Sequence, residues 1–148
     1  MTMQTRTTAP AAVLITRLAR SIYRYVDEGE LGMTLKQFAM LNYLRDFDGT
    51  TQGALTDAMG LDANTVVLLL NALEDRGFAV RERDPNDRRR HIVRITPAGT
   101  KALVRGDRAV EAVTGDALGP LDADERAALG ALLAKALGDG ALAVTPEG

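Results

Sequence analysis

Asp84-Pro85-Asn86-Asp87-Arg88-Arg89-Arg90 constrains this chain more than any other stretch. It lies between two short runs of strand character, Phe78 to Arg83 and His91 to Thr96. Proline, asparagine and aspartate are turn formers, so the two runs read as a hairpin. Three consecutive arginines then make its tip a mobile, cationic finger. Just before it, Asp62 to Arg76 has helical apolar spacing and ends at Gly77, the residue type that stops a helix at least conformational cost. A helix followed at once by a hairpin with a basic tip leaves few folds open.

Thr8 to Val26 reads as a helix with Pro10 in its first turn, striped by Leu14, Leu18 and Ile22, until Gly29 and Gly32 break it. Thr34 and Gln37 form a capping box, with Met33 and Phe38 as its hydrophobic staple. That second helix carries Phe38, Leu41 and Leu44 to about Arg45, and Asp48-Gly49 turns the chain. Thr51 to Met59 is a short helix. Gly60-Leu61 is a tight turn, and Asp62 caps the next helix, whose inner face is Val66, Leu69, Leu70 and Leu73. Two helices joined by a short glycine turn are a helix-turn-helix. With the hairpin as wing, the second helix enters a major groove and the wing reaches phosphates or the minor groove.

Thr96-Pro97 starts a long helix with the stripe Ala102, Leu103, Ala109, Val110, Val113 and Ala117. Gly119-Pro120 breaks it. Asp122 and Glu125 cap a last helix bearing Leu129, Leu132, Leu133, Ala136 and Leu137. The first and last two helices either fold back on their own domain or pair with a second copy. The expected fold is mainly α with a small β-hairpin wing: a winged helix-turn-helix with N- and C-terminal dimerisation helices. Residues 1–148 form one domain, with the winged lobe at 34–96, a helical dimerisation region at 8–28 and 97–140, and a flexible tail at 141–148.

The net charge of −2 is unusual for a nucleic-acid binder, but charge is segregated. Between Arg81 and Arg94, the arginines at 81, 83, 88, 89, 90 and 94 outnumber Glu82, Asp84 and Asp87. From Asp116 onward, acids dominate. A focused basic site survives an acidic remainder. There is no cysteine, which excludes thiolate catalysis, thiol sensing and disulfides. One histidine, His91, cannot build a histidine-rich metal site; it reads as a wing-strand surface residue or phosphate contact. No phosphate-cradling loop or nucleophile elbow is present, and the acids at 122, 124 and 125 are explained by capping. The chain therefore reads as no enzyme, with no cofactor and no metal. Arg17, Arg20 and Arg24 interrupt the N-terminal apolar stretch, and no run spans a bilayer, so a cytoplasmic location without membrane contact is expected.

Leu61 to Ala102 resembles the MarR (multiple antibiotic resistance regulator) family of bacterial transcription factors. The resemblance rests on three segments with matching spacing. They are Leu73-Glu74-Asp75-Arg76-Gly77-Phe78, the wing Asp84 to Arg90, and Ile95-Thr96-Pro97-Ala98-Gly99. It implies a homodimer, a repressor or activator, that binds double-stranded DNA at a short palindrome. Its terminal helices would dimerise, and Arg89 would stand where a wing arginine enters the minor groove. Asp87 would stand where an acid braces the wing. It also implies small, often aromatic or anionic effectors held between the dimerisation helices and the winged helix. Tyr23 and Phe38 lie on the two helices bordering that pocket, and Arg17 and Arg20 are suited to an anion. The bland alternative for these residues, and for Tyr25, Tyr43 and Phe47, is packing or surface.

The DNA-reading candidates are Asn64, Thr65, Val67, Leu68 and Asn71 on the helix, with Arg88, Arg89 and Arg90 on the wing. Asn64 and Thr65 have a simpler alternative as helix N-terminal residues. Relatives usually carry Thr and Arg where this chain has Val67 and Leu68, so two polar contacts are replaced by apolar side chains. One consequence is contact with thymine methyls by Val67 or Leu68, with Asn64 reading an adenine edge. Two rival functions remain: a winged-helix module that docks a partner protein through Val67 and Leu68, and a DNA binder with no effector.

Overall fold

A computed structural model describes residues 7–26 and 28–138. Ten elements follow one another: α1 (Ala11–Tyr25), α2 (Glu28–Leu31), α3 (Leu35–Asp46), β1 (Thr50–Thr51), α4 (Gln52–Met59), α5 (Ala63–Asp75), β2 (Ala79–Asp84), β3 (Asp87–Ile95), α6 (Pro97–Ala117) and α7 (Ala123–Ala136). The expected tail at 141–148 lies outside the described residues. No single helix among those described is long and apolar enough to cross a membrane.

Local chemistry sets most boundaries. The Thr34 hydroxyl accepts from the Gln37 N–H at 3.1 Å, and the Gln37 side chain accepts from the Thr34 N–H at 3.0 Å. Asp122 and Glu125 repeat the reciprocal pair at the start of α7, both at 2.9 Å. Asp62 accepts from the Thr65 N–H at 2.8 Å, starting α5. Each bond satisfies an amide that a helix start leaves open. Helices α4 and α5 meet at a bend of 111°, which is helix-turn-helix geometry. At the far end of α5, Gly77 takes φ 75 while the Phe78 N–H returns to the Leu73 carbonyl at 2.9 Å. A side chain at that backbone angle would be strained.

Three local expectations are corrected. Neither glycine ends the first helix: α1 stops at Tyr25 with Val26 extended, Gly29 sits inside the short helix α2, and Gly32 (φ 83) turns the chain after it. Pro10 lies at the N-cap of α1, one residue before its first turn. Thr50–Thr51 form an edge strand on β3, so the sheet has three antiparallel strands in the order β1-β3-β2. Two threonines before a capped helix carry no strand pattern of their own; pairing Thr50 with Val93 and Thr51 with Ile92 creates the strand.

The core gathers Phe38, Met40, Leu41 and Leu44 of α3 with Leu55 of α4 and Val66, Leu70 and Leu73 of α5. Leu31, Met33, Phe78, Ala79, Val93, Ala102 and Leu103 complete it. Gly106 on α6 lets α3 approach, since a Cβ there would lie 2.6 Å from the Phe38 ring. By contrast, α1 and α7 bury none of their residues.

Candidate nucleic-acid interface

Burial of Val66, Leu70 and Leu73 fixes the rotation of α5 and turns Asn64, Leu68 and Asn71 to the outside. Leu68 is 60% exposed. Val67 and Thr65 are half-buried beside this face. The Thr65 hydroxyl donates to Asp62 at 2.9 Å, so it serves the helix cap. That capping holds the Asp62 carboxyl below its ordinary range, chiefly through the Thr65 N–H and then the Thr65 hydroxyl.

A strut that the sequence reading missed joins α5 to the wing. Glu74 accepts from the Arg81 backbone N–H at 3.0 Å, from its Nε at 3.1 Å and from a terminal guanidinium nitrogen at 2.7 Å. The same terminal nitrogen donates to the side-chain oxygen of Asn71. Hydrogen bonding by Arg81 outweighs desolvation and lowers the Glu74 pKa. The pair fixes the wing root against the last turn and a half of α5. It also engages one lone pair of the Asn71 amide oxygen and so orients that amide.

The wing differs from the expected finger. Strand β3 begins at Asp87, so the tip is only Pro85-Asn86 and the three arginines belong to the strand. Arg83 pairs with His91 and Asp84 with Asp87, so Arg88 to Arg90 fall in the irregularity between these pairs. A loop of seven turn-forming and charged residues has no alternation from which such a bulge is legible. Asp84 is the buried anchor at 4% exposure. It accepts from the Asn86 N–H at 2.8 Å and from Arg90 at 2.7 Å, and these two donors, in that order, lower its pKa.

Asp87 accepts from the Arg89 N–H at 3.1 Å and from its Nε at 3.2 Å. Bracing is therefore shared between Asp87 and the deeper Asp84. Arg83 donates to the Arg88 carbonyl at 2.6 Å. The Arg89 side chain is 91% exposed even with its Asp87 contact, whereas Arg90 is tied to Asp84. A groove lined by Thr51, Gln52, Thr56, Ala63, Arg89, Arg90 and His91 joins the wing to the starts of α4 and α5. That groove brings together two helix N-termini and two arginines, groups suited to a polyanion.

The four expected effector residues do not converge. Phe38 is core, packed against Gly106 and 6% exposed. Tyr23 is exposed on α1. Arg17 and Arg20 line a shallow groove along α1 with Leu14, Leu18, Ser21 and Arg24. A separate cleft of about 130 Å³ is lined by Tyr25, Val26, Leu31, Ala109, Val110 and Val113, with Glu30 and Asp116 as its charged groups. Small residues at 109 and 112 on α6 were the available signal for it.

The family model described as the MarR family matches residues 31–90, which run from α2 through the wing. A Thauera aromatica protein named as a transcriptional regulatory protein for the hcr operon is 37% identical over 102 residues, 69% of this chain; the chain spans 61% of that relative's length. The PcaV transcriptional regulator of Streptomyces coelicolor, solved with its natural ligand, is 31% identical with a TM-score of 0.71, covering 95% of this chain and 99% of that one. A cysteine-to-serine variant of MarR from Escherichia coli, solved with operator DNA, is 27% identical with a TM-score of 0.71, covering 86% of this chain and 94% of that one.

Proposed function

The chain belongs to the MarR family, and from that premise we propose that it is a homodimeric transcription regulator of a short palindromic operator, retuned by a small-molecule effector. The observation that carries the reading is the groove that runs from Ala63, at the start of α5, to Arg89, whose side chain is 91% exposed. The helix is the right size for a major groove, and an extended arginine beside it fits the neighbouring minor groove. The MarR variant solved with operator DNA supports the same use of the fold. Repression is the expected direction, because a dimer seated on its operator excludes other proteins from that DNA.

The terminal helices support the dimer. Ile15 is 53% exposed on α1, Leu132 63% on α7 and Leu137 77% just past its end, and neither helix has a buried residue. A second copy covers such stripes, and two-fold symmetry sets two α5 helices about 34 Å apart, one turn of duplex. Effector control is supported by the ligand seen in the similar PcaV and by the arginine groove on α1, where Arg17 and Arg20 are placed for an anionic group. The carboxylates of the α2–α6 cleft make it the poorer place for an anion.

Selection from a random duplex pool, repeated with Arg89→Ala, tests the reading. The expected outcome is an inverted repeat with centres about 10 base pairs apart, enriched by the wild type and not by the variant. No enrichment at low salt overturns it and leaves a protein-docking module, with Leu68 as the contact to pursue.

A further inference from the structure

We propose that α5 recognises A·T pairs: Leu68 packs on a thymine methyl while Asn64, one helical turn earlier, reads an adenine. This rests on the operator-binding reading above and adds the base class it selects.

Elimination on the exposed face leaves Asn64 and Leu68. From Ala63 to Asp75, α5 contains no arginine or lysine. The strongest readout of guanine, a cationic fork on its O6 and N7, is therefore unavailable to this helix. Thr65 spends its hydroxyl on the Asp62 cap. The Asn71 oxygen already accepts from Arg81, which fixes its amide towards the wing root and leaves one lone pair for any base edge. Among the described contacts of α5, Asn64 has no side-chain partner, so donor and acceptor both face outward in the pairing that matches adenine N7 and N6.

Leu68 is 60% exposed in the middle of the helix. An apolar side chain at that point gains from a groove only if the groove offers an apolar group, and the thymine methyl is the one that base pairs present there. Residues four apart are separated by about 6 Å along the helix axis, or about two base steps at roughly 3.4 Å each. The half-site thus places a critical thymine about two base pairs from the adenine read by Asn64. Val67, half-buried at the edge of the face, is the lesser apolar neighbour.

The test uses the full chain and the duplex recovered by selection. Each thymine of the half-site is replaced in turn by deoxyuridine, which removes only the methyl group, and affinity is read by fluorescence anisotropy at fixed salt. One position is expected to weaken the wild type by roughly 3–5-fold per half-site, the value of one buried methyl. Leu68→Ala should bind the thymine and deoxyuridine duplexes alike, while Leu68→Met, still apolar, should keep most of the discrimination. Asn64→Ala should lose the adenine preference at the predicted spacing. Both leucine variants should match the wild type in circular dichroism, because the position is exposed. Wild-type binding that is indifferent to every deoxyuridine, or a penalty that persists in Leu68→Ala, overturns the leucine contact and leaves operator binding intact. Failure to select any duplex overturns both.

Discussion

The winged lobe and the terminal helices are built from similar residues and end in opposite states. In the lobe, Met40, Leu41, Leu44, Leu55, Val66, Leu70 and Val93 are fully enclosed by the chain that carries them. Helices α1 and α7 also carry leucines, and α1 isoleucines and a valine, yet no residue of either helix is buried. Helix α6 passes between these regimes. Its first half seats Gly99, Ala102, Leu103 and Gly106 in the core, whereas Ala109 and Val110 only lean on it. Hydrophobic content alone therefore does not tell which helix a fold stabilises internally. The lobe has its own core. In the dimer proposed above, the terminal helices supply half of an interface.

Core truncation should separate the regions most strongly. Leu70→Ala is expected to destabilise the protein by about 2–5 kcal/mol, the range for removing a buried leucine. Urea unfolding measures it. A loss below about 1 kcal/mol would mean that the lobe core is not packed as described. Replacing surface leucines of α7 should act elsewhere. Leu132→Asp with Leu133→Asp removes apolar area worth about 1.5–3 kcal/mol per leucine where a partner covers it, and costs little where water does. Light scattering should show a dimer becoming a monomer, and the concentration dependence of Tm should vanish with it. An unchanged mass would break the comparison, because it would make the exposed stripes ordinary surface.

The wing offers the same contrast on a smaller scale. Arg89 is extended into solvent, while Arg90 holds the buried Asp84. Arg89→Ala should weaken operator binding by about 1–3 kcal/mol per head, flatten the salt dependence by roughly one unit of log–log slope per lost phosphate contact, and leave thermal stability unchanged. Arg90→Ala should instead loosen the wing itself, visible as faster amide exchange at Asn86 and Asp87. Equal effects from both variants on binding and exchange would remove the distinction between a reading arginine and a bracing one.

What the sequence exposed follows the same division. Caps at Thr34, Asp62, Thr96 and Asp122 are local chemistry, settled within four residues, and were legible. So were the inner and outer faces of α5, because helical periodicity sorts them before any partner is known. The strand at Thr50–Thr51 and the Arg81–Glu74 strut depend on residues brought together from elsewhere in the chain, which no local pattern encodes. Phe38 shows the limit most clearly. An aromatic on a helix bordering a pocket reads as a pocket residue until a glycine at position 106, far along the chain, makes room for it in the core. Asp84 was passed over for Asp87 for a similar reason: only the irregular pairing of β3 shows which acid is buried.

The smallest expected effect concerns pH and tests whether the strut is part of the lobe's stability. Glu74 is held below its ordinary range first by hydrogen bonds from Arg81, and Asp84 by the Asn86 N–H and Arg90. In the unfolded chain both carboxyls titrate near about 4. A folded-state pKa below the unfolded one means the unfolded chain binds more protons in between, so stability rises with pH there. The contribution is fully present above about pH 5. It is lost as pH falls through the unfolded-state value towards the folded one. The Glu74–Arg81 pair is partly exposed, with side-chain exposures of 30% and 21%, so its share stays below about 1 kcal/mol. Urea unfolding followed from pH 7 to pH 3 should therefore show a shallower decline for Glu74→Gln than for the wild type, from a lower starting value at pH 7. Parallel curves would assign the acid sensitivity of the lobe to other carboxylates, and the strut would then matter for where Asn71 points rather than for how firmly the wing is held.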